Sequence, residues 1–139
     1  MRETRAVRQA LEPDTVRVVL ADDDRLFTQL MRAQLSLRPG LEVVGIASDG
    51  AEAVDLAAAL EPDVILMDVS MPRLDGIAAT RLIRESPDAP AVVLVTGEDG
   101  ATDARAYEVG AAAYLRKSAD LLGLVDVVVA VSQLVAAAG

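Results

Sequence analysis

Along the chain, apolar runs of strand length alternate with longer segments in which apolar residues recur at helical spacing. The strand candidates are "VRVVLA" (Val16–Ala21), "LEVVGIA" (Leu41–Ala47), "DVILM" (Asp63–Met67), "AVVLVT" (Ala91–Thr96) and "AAYLRK" (Ala112–Lys117). They are short and mostly apolar, as buried strands are. Between them, Arg25–Leu37 places Leu26, Leu30, Met31 and Leu35 on one helical face. The segment "DGAEAVDLAAAL" opens with Asp49 as N-cap and Glu52 three residues on, the spacing of a capping box. Ile77–Arg84 and Thr102–Val109 predict two more helices, and the last runs from about Ala119 to about Ala137. Proline and glycine punctuate the joins, in "RPG" at 38–40, "EP" at 61–62, "SPDAP" at 86–90 and Gly110. Strict alternation with continuously apolar strands predicts a parallel five-stranded sheet covered on both faces by right-handed crossovers, a three-layer doubly wound α/β domain.

Length and composition narrow the chemistry. With 139 residues, 53% of them apolar, the chain suits one domain. Residues 1–15 read as a flexible N-terminal extension and 16–139 as the domain. Thirteen Lys and Arg stand against 22 Asp and Glu, and the net charge of −9 disfavours nonspecific attraction to nucleic acid. The chain contains no cysteine and no histidine, which removes disulfides, thiolate metal sites and the commonest general base. The N-terminus lacks the apolar core of a secretory signal, so a cytoplasmic location is expected. "LLGLVDVVVAVSQLVAAA" (Leu121–Ala138) approaches the length of a membrane span, but Asp126, Ser132 and Gln133 interrupt it and favour a packed helix over a membrane segment. Its polar stripe is narrow, Asp126, Ala130 and Gln133. Leu121, Leu124, Val125, Val128, Val131 and Val135 line one face, and Leu122, Val127 and Leu134 extend the apolar surface beyond it. That surplus suggests a partner surface on the last helix, for a homodimer or an effector protein.

In a doubly wound sheet the functional crevice lies beyond the carboxyl ends of the strands. Asp22 and Asp23 follow the first strand, Asp68 ends the third, Thr96 the fourth and Lys117 the fifth. Each has a plain alternative: an acid of "DDD" can cap the following helix, a duty that falls to Asp24. Asp68 can open a loop, Thr96 can sit in a turn, and Lys117 can guard an edge strand. Their joint placement at one sheet edge points instead to a site. Three close carboxylates repel one another unless a cation joins them, and magnesium, which takes oxygen ligands and phosphate together, suits the set. A carboxylate between such an ion and the Lys117 ammonium can act as a nucleophile towards phosphorus.

The "DD" after the first strand, "MDVSMPRLDG" around the third, "VTG" at the fourth and "GAAAYLRK" at the fifth follow one another as in the receiver domains of two-component response regulators. The chain resembles that family over roughly residues 15–137, and "GLEVVGIASDGAEAV" with "MPRLDG" is most similar to its NarL/FixJ branch. The resemblance implies a CheY-like, flavodoxin-like sheet of order 2-1-3-4-5. It implies that Asp68 accepts a phosphoryl group from a sensor histidine kinase. Asp23 and Asp68 would bind Mg2+ with the backbone carbonyl of Ser70, and Asp22 would act largely through bound water. Thr96 would hydrogen-bond the phosphoryl group, Lys117 would pair with it, and Tyr114 would be the aromatic switch residue. The signal would pass through the surface of the domain's fourth helix, fifth strand and fifth helix.

Two departures stand out. Ser118 follows the lysine where a proline joined by a cis peptide is common, and Asp24 stands where many relatives carry another polar residue. No basic recognition helix is evident, so direct nucleic-acid binding is not expected of this sequence, and a stand-alone receiver is the expectation. The alternative is the receiver of a longer NarL/FixJ-type transcription factor. A magnesium-dependent phosphatase is a more distant alternative, because Ser70 stands where such enzymes place a second acid. Beyond accepting and losing its own phosphoryl group, no enzymatic activity is expected.

Overall fold

In the computed structural model, residues 5–12, 15–97, 103–117 and 120–138 of the chain are described. The elements follow in the order α1 (Arg5–Leu11), β1 (Val16–Ala21), α2 (Arg25–Ser36), β2 (Leu41–Ala47), α3 (Gly50–Leu60), β3 (Val64–Asp68), α4 (Gly76–Ile83), β4 (Ala91–Thr96), α5 (Asp103–Glu108), β5 (Ala113–Arg116) and α6 (Leu121–Ala138). The five strands form one sheet of order β2-β1-β3-β4-β5, and every pairing is parallel. The doubly wound architecture expected from the alternating pattern is therefore present, with element boundaries within two residues of those predicted.

Alternation of side chains along each strand sends neighbours to opposite faces, which builds two cores. Val19, Ile65, Met67, Val92 and Leu94 face α3, α4 and α5, where Ala53, Ile77, Ala79, Ile83 and Ala106 meet them. Val18, Leu20, Val64, Leu66, Val93 and Val95 face α2 and α6, where Met31, Leu35, Leu124, Val125, Val128 and Val131 are buried. Each of these larger side chains contributes roughly 1.5–3 kcal/mol by leaving water. β3 lies between β1 and β4 and is buried at all five positions, including its terminal Asp68.

Local chemistry sets the helix starts. Asp24, Asp49 and Asp75 cap α2, α3 and α4 by accepting the backbone N–H groups of Phe27, Glu52 and Ala78. At α3 the box is complete, because Glu52 Oε1 accepts the Ser48 N–H in return at 2.9 Å. The buried hydroxyls of Thr80 and Ser132 donate to the carbonyls of Gly76 and Val128, so neither is left unsatisfied.

Three expectations are corrected. Leu26 and Leu30, grouped by spacing with the core face of α2, are 65% and 46% exposed, and the buried face is Thr28, Met31 and Leu35. A stripe of 26, 30, 31 and 35 is wider than the part of α2 that the sheet covers, and packing selects the side nearer β1 and β2. The stretch read as a flexible extension contains α1, held by arginines at the base of the sheet: Arg8 is buried, and both it and Arg5 reach Asp63. Finally, β3 starts at Val64 and ends at Asp68; Asp63 stands just before it, its N–H donating to the Arg17 carbonyl and its carbonyl accepting the Ala91 N–H. Residues 1–4, 13 and 14 of the predicted extension and the Lys117–Ser118 peptide lie outside the described residues.

On α6 the inner face matches the predicted one, with Leu124, Val125, Val128 and Val131 buried and Asp126 and Gln133 exposed. Among the described residues this is the one helix long and apolar enough to cross a membrane. Its inner side is seated on the sheet, while Leu122 and Leu134 face outward.

Candidate functional site

Parallel pairing brings the carboxyl ends of β1, β3, β4 and β5 to one edge, and the residues just beyond those ends form the pocket. The turn after β1 is pinned by the Asp22 N–H donating to the Ala47 carbonyl at 2.9 Å and by Asp22 Oδ1 accepting the Asp24 N–H at 2.8 Å. The turn after β3 is pinned by the Val69 N–H donating to the Val95 carbonyl and the Gly76 N–H donating to the Val69 carbonyl, both at 2.8 Å. This second loop carries Arg73 in the left-handed region, φ 66°. Arg73 is fastened there by its Nε, which donates to Asp49 Oδ2 at 2.7 Å. That contact and the Glu52 amide hold the Asp49 carboxyl below the usual carboxylate range, the amide contributing most. Gly50 admits the same loop closely, since a Cβ there would lie 2.0 Å from the Leu74 carbonyl oxygen.

Within the pocket, Asp22, Asp23 and Asp68 each offer a carboxylate oxygen, and these atoms lie within 4.8 Å of one another. Asp22 and Asp68 are buried, and Asp23 is exposed at the rim. Lys117 Nζ reaches in from the end of β5 to stand 2.8 Å from Asp22 Oδ2, 3.6 Å from Asp68 Oδ2 and 4.0 Å from Asp24 Oδ2. Burial acts to lower the Lys117 ammonium, but the Asp22 carboxylate, then Asp68 and Asp24, outweigh it and hold it above the ordinary lysine value. At Asp68, burial raises the carboxyl first and the charge of Asp22 raises it further. The Ser70 N–H, donating to Asp68 Oδ1 at 3.1 Å, and Lys117 pull the other way. The balance leaves Asp68 pushed up to about 6.

Those features fit a hard cation. Asp22 Oδ2 is fully buried without an aligned hydrogen bond, although the Lys117 ammonium is near. A buried lone pair of that kind and a raised neighbouring carboxylate are what a divalent ion with oxygen ligands relieves. Thr96 is buried at the end of β4, one residue beyond Val95, which is the sheet partner of Asp68. Lys117 donates its backbone N–H to the Thr96 carbonyl at 2.7 Å, which ties the two strand ends together. Tyr114 is half-buried on β5 opposite Leu94 and packs against the core on the α3, α4 and α5 side. The fold thus brings the acids and the lysine into one cluster and sets Thr96 beside it, while Tyr114 sits back along β5.

Two features escaped the sequence reading. Phe27, on the first turn of α2, lies under Lys117; its place three residues after the Asp24 cap was the one available hint. The arginines that meet Asp63 carried no motif at all.

This fold and this edge define a class of protein. The response regulator receiver domain pattern matches residues 18–129, and the chain belongs to that family. Its relatives include NarL/LuxR-type response regulators and protein-glutamate methylesterases. It is 35% identical over 128 residues to the transcriptional regulatory protein DegU of Brevibacillus brevis, covering 91% of this chain and 54% of that protein. To LiaR of Bacillus subtilis it is 41% identical over 119 residues, covering 85% and 56%. The crystal structure of a LuxR-family two-component response regulator from Aurantimonas sp. SI85-9A1 superposes with a TM-score of 0.79 at 36% identity, covering 86% of each chain. The chain spans about half the length of these two curated regulators. Receiver domains are phosphoryl-accepting signalling modules that bind Mg2+ at an acidic pocket and are phosphorylated by sensor histidine kinases.

Proposed function

We propose that this receiver takes its phosphoryl group on Asp68 and that Asp22, Asp23, Asp68 and the Ser70 backbone carbonyl make up its Mg2+ site. The observation that carries the reading is the Asp68 carboxylate, buried at the end of the central strand between two other acids and the Lys117 ammonium. When bound, magnesium would supply positive charge to the acids and to the phosphoryl oxygens. An Asp68 oxygen attacks phosphorus in line, a P–O bond forms, the P–N bond of the kinase phosphohistidine breaks, and the imidazole leaves. Lys117 pairs with the developing negative charge, and Thr96 hydrogen-bonds the transferred group. Ser70 offers no carboxylate at the position from which a phosphatase of the aspartyl type would draw its acid, so the group stays as a signal until hydrolysed.

The relay surface is α5, β5 and α6, with Thr96 and Tyr114 as the switch pair. It carries exposed Tyr107 and Leu122 and half-buried Tyr114, apolar area suited to a protein partner or a second copy of the chain. The net charge of −9 supports protein contacts over direct nucleic-acid contacts. The family's cytoplasmic setting is inferred for this chain as well. The test is incubation with a small acyl-phosphate donor and magnesium, followed by intact mass. Wild type gains one phosphoryl group and Asp68→Asn gains none; equal gain by both would end the assignment of Asp68.

A further inference from the structure

The Lys117 ammonium has a neighbour that the chemistry above leaves unused. Nζ stands 4.5 Å from the centroid of the Phe27 ring, within the range at which an aromatic face attracts a cation. Phe27 is the chain's one phenylalanine. Two anchors fix it. Its backbone N–H donates to Asp24 Oδ1 at 3.1 Å, and its ring packs against the core between the sheet and α2 and α6. The ring therefore belongs to the same rigid β1-turn-α2 unit that carries Asp22 and Asp23.

Lys117 comes from the other side. β5 lies three places from β1 in the sheet, so the four-carbon lysine stem crosses the pocket to reach its partners. At present Nζ is nearer to Asp22 than to Asp68. Once a divalent cation neutralises Asp22, that attraction weakens, and a flexible ammonium is free to leave for solvent. The Phe27 quadrupole is unaffected by the charge state of the pocket, so its pull on Nζ persists when the carboxylate pull fades. Leucine would fill the space without supplying that field.

We propose that Phe27 is a positioning residue, whose ring face keeps the Lys117 ammonium over the pocket and within reach of the phosphoryl group on Asp68. This rests on the phosphoacceptor reading given above. Initial rates of phosphoryl gain from an acyl phosphate with magnesium, read by intact mass, test it in wild type, Asp68→Asn, Phe27→Leu and Phe27→Tyr. Phe27→Leu slows the gain by about 3- to 10-fold, and Phe27→Tyr, which keeps the aromatic face, restores it. An independent reading needs no variant: ring current shifts the Lys117 ε-methylene protons of the wild type upfield in the NMR spectrum.

A Leu variant as fast as wild type overturns the proposal, as does a Tyr variant as slow as the Leu variant, or unshifted ε protons. If wild type gains no phosphoryl group, the phosphoacceptor reading falls and Phe27 falls with it. A phosphorylated wild type with an indifferent Leu variant removes Phe27 alone.

Discussion

Lys117 Nζ lies 2.8 Å from Asp22 Oδ2 and 3.6 Å from Asp68 Oδ2. That ammonium thus lies closer to the acid after β1 than to the acid at the end of β3, and Asp68 keeps a carboxyl pushed up to about 6. The Asp68 carboxylate is incompletely compensated by the protein alone.

A pH dependence follows from that shortfall. Between its ordinary value of 3.8 and its folded value of about 6, Asp68 holds more proton in the native state than in the unfolded chain. Its contribution to stability is therefore greatest at low pH, declines as pH rises through that window, and stays lower above it. Asp68→Asn is expected to exceed the magnesium-free wild type in stability at about pH 7.5 by on the order of 1–2 kcal/mol after solvent screening, and the gap should close towards about pH 4. Magnesium should narrow the gap at neutral pH by stabilising the wild type more than the variant. Urea unfolding with and without the ion reads both effects.

Just before the opposite end of β3 stands another buried acid. Asp63, with a side chain 1% exposed, accepts Arg5 Nε at 2.9 Å and Arg8 Nη2 at 3.2 Å, while its other oxygen accepts the Arg17 N–H at 2.9 Å. The same arginines reach the carbonyls of Glu61, Asp88 and Ala89, so α1 fastens the loops before β3 and β4. Losing both arginines leaves the buried carboxylate short of cation. The double variant Arg5→Ala/Arg8→Ala is expected to lose about 3–5 kcal/mol in urea unfolding. Adding Asp63→Asn should return a good part of that loss, because the charge that needed compensation is gone.

Gly76 places the loop that follows Asp68. A Cβ there would stand 2.1 Å from the Asp68 carbonyl oxygen, so alanine must displace the backbone that carries Asp68. Gly76→Ala should cost about 1–3 kcal/mol and slow phosphoryl gain, whereas overpacking of this kind is absent at Gly97, where a Cβ meets nothing within 4 Å. Thermal unfolding of Gly76→Ala beside Gly97→Ala separates steric displacement from any general loss of glycine.

What the sequence by itself determined is the part governed by local period and by strand ends. The five strands, the Asp24 and Asp49 caps and the inner face of α6 follow from side-chain spacing and capping chemistry, which act within a few residues. Asp22, Asp23, Asp68, Thr96 and Lys117 were legible because a parallel sheet delivers every strand's carboxyl end to one edge, so position along the strand stood in for position in space. Tertiary structure alone decided the rest. Which apolar stripe of α2 is buried depends on how much of the helix the sheet covers, and Leu26 and Leu30 lost that competition. The docking of α1 depends on a carboxylate 55 residues away from Arg8, and the seat of Lys117 over Phe27 depends on a crossing of the sheet between β5 and α2. Contacts between residues so far apart leave no period in the chain, and only the packed fold brings their charges and ring faces together.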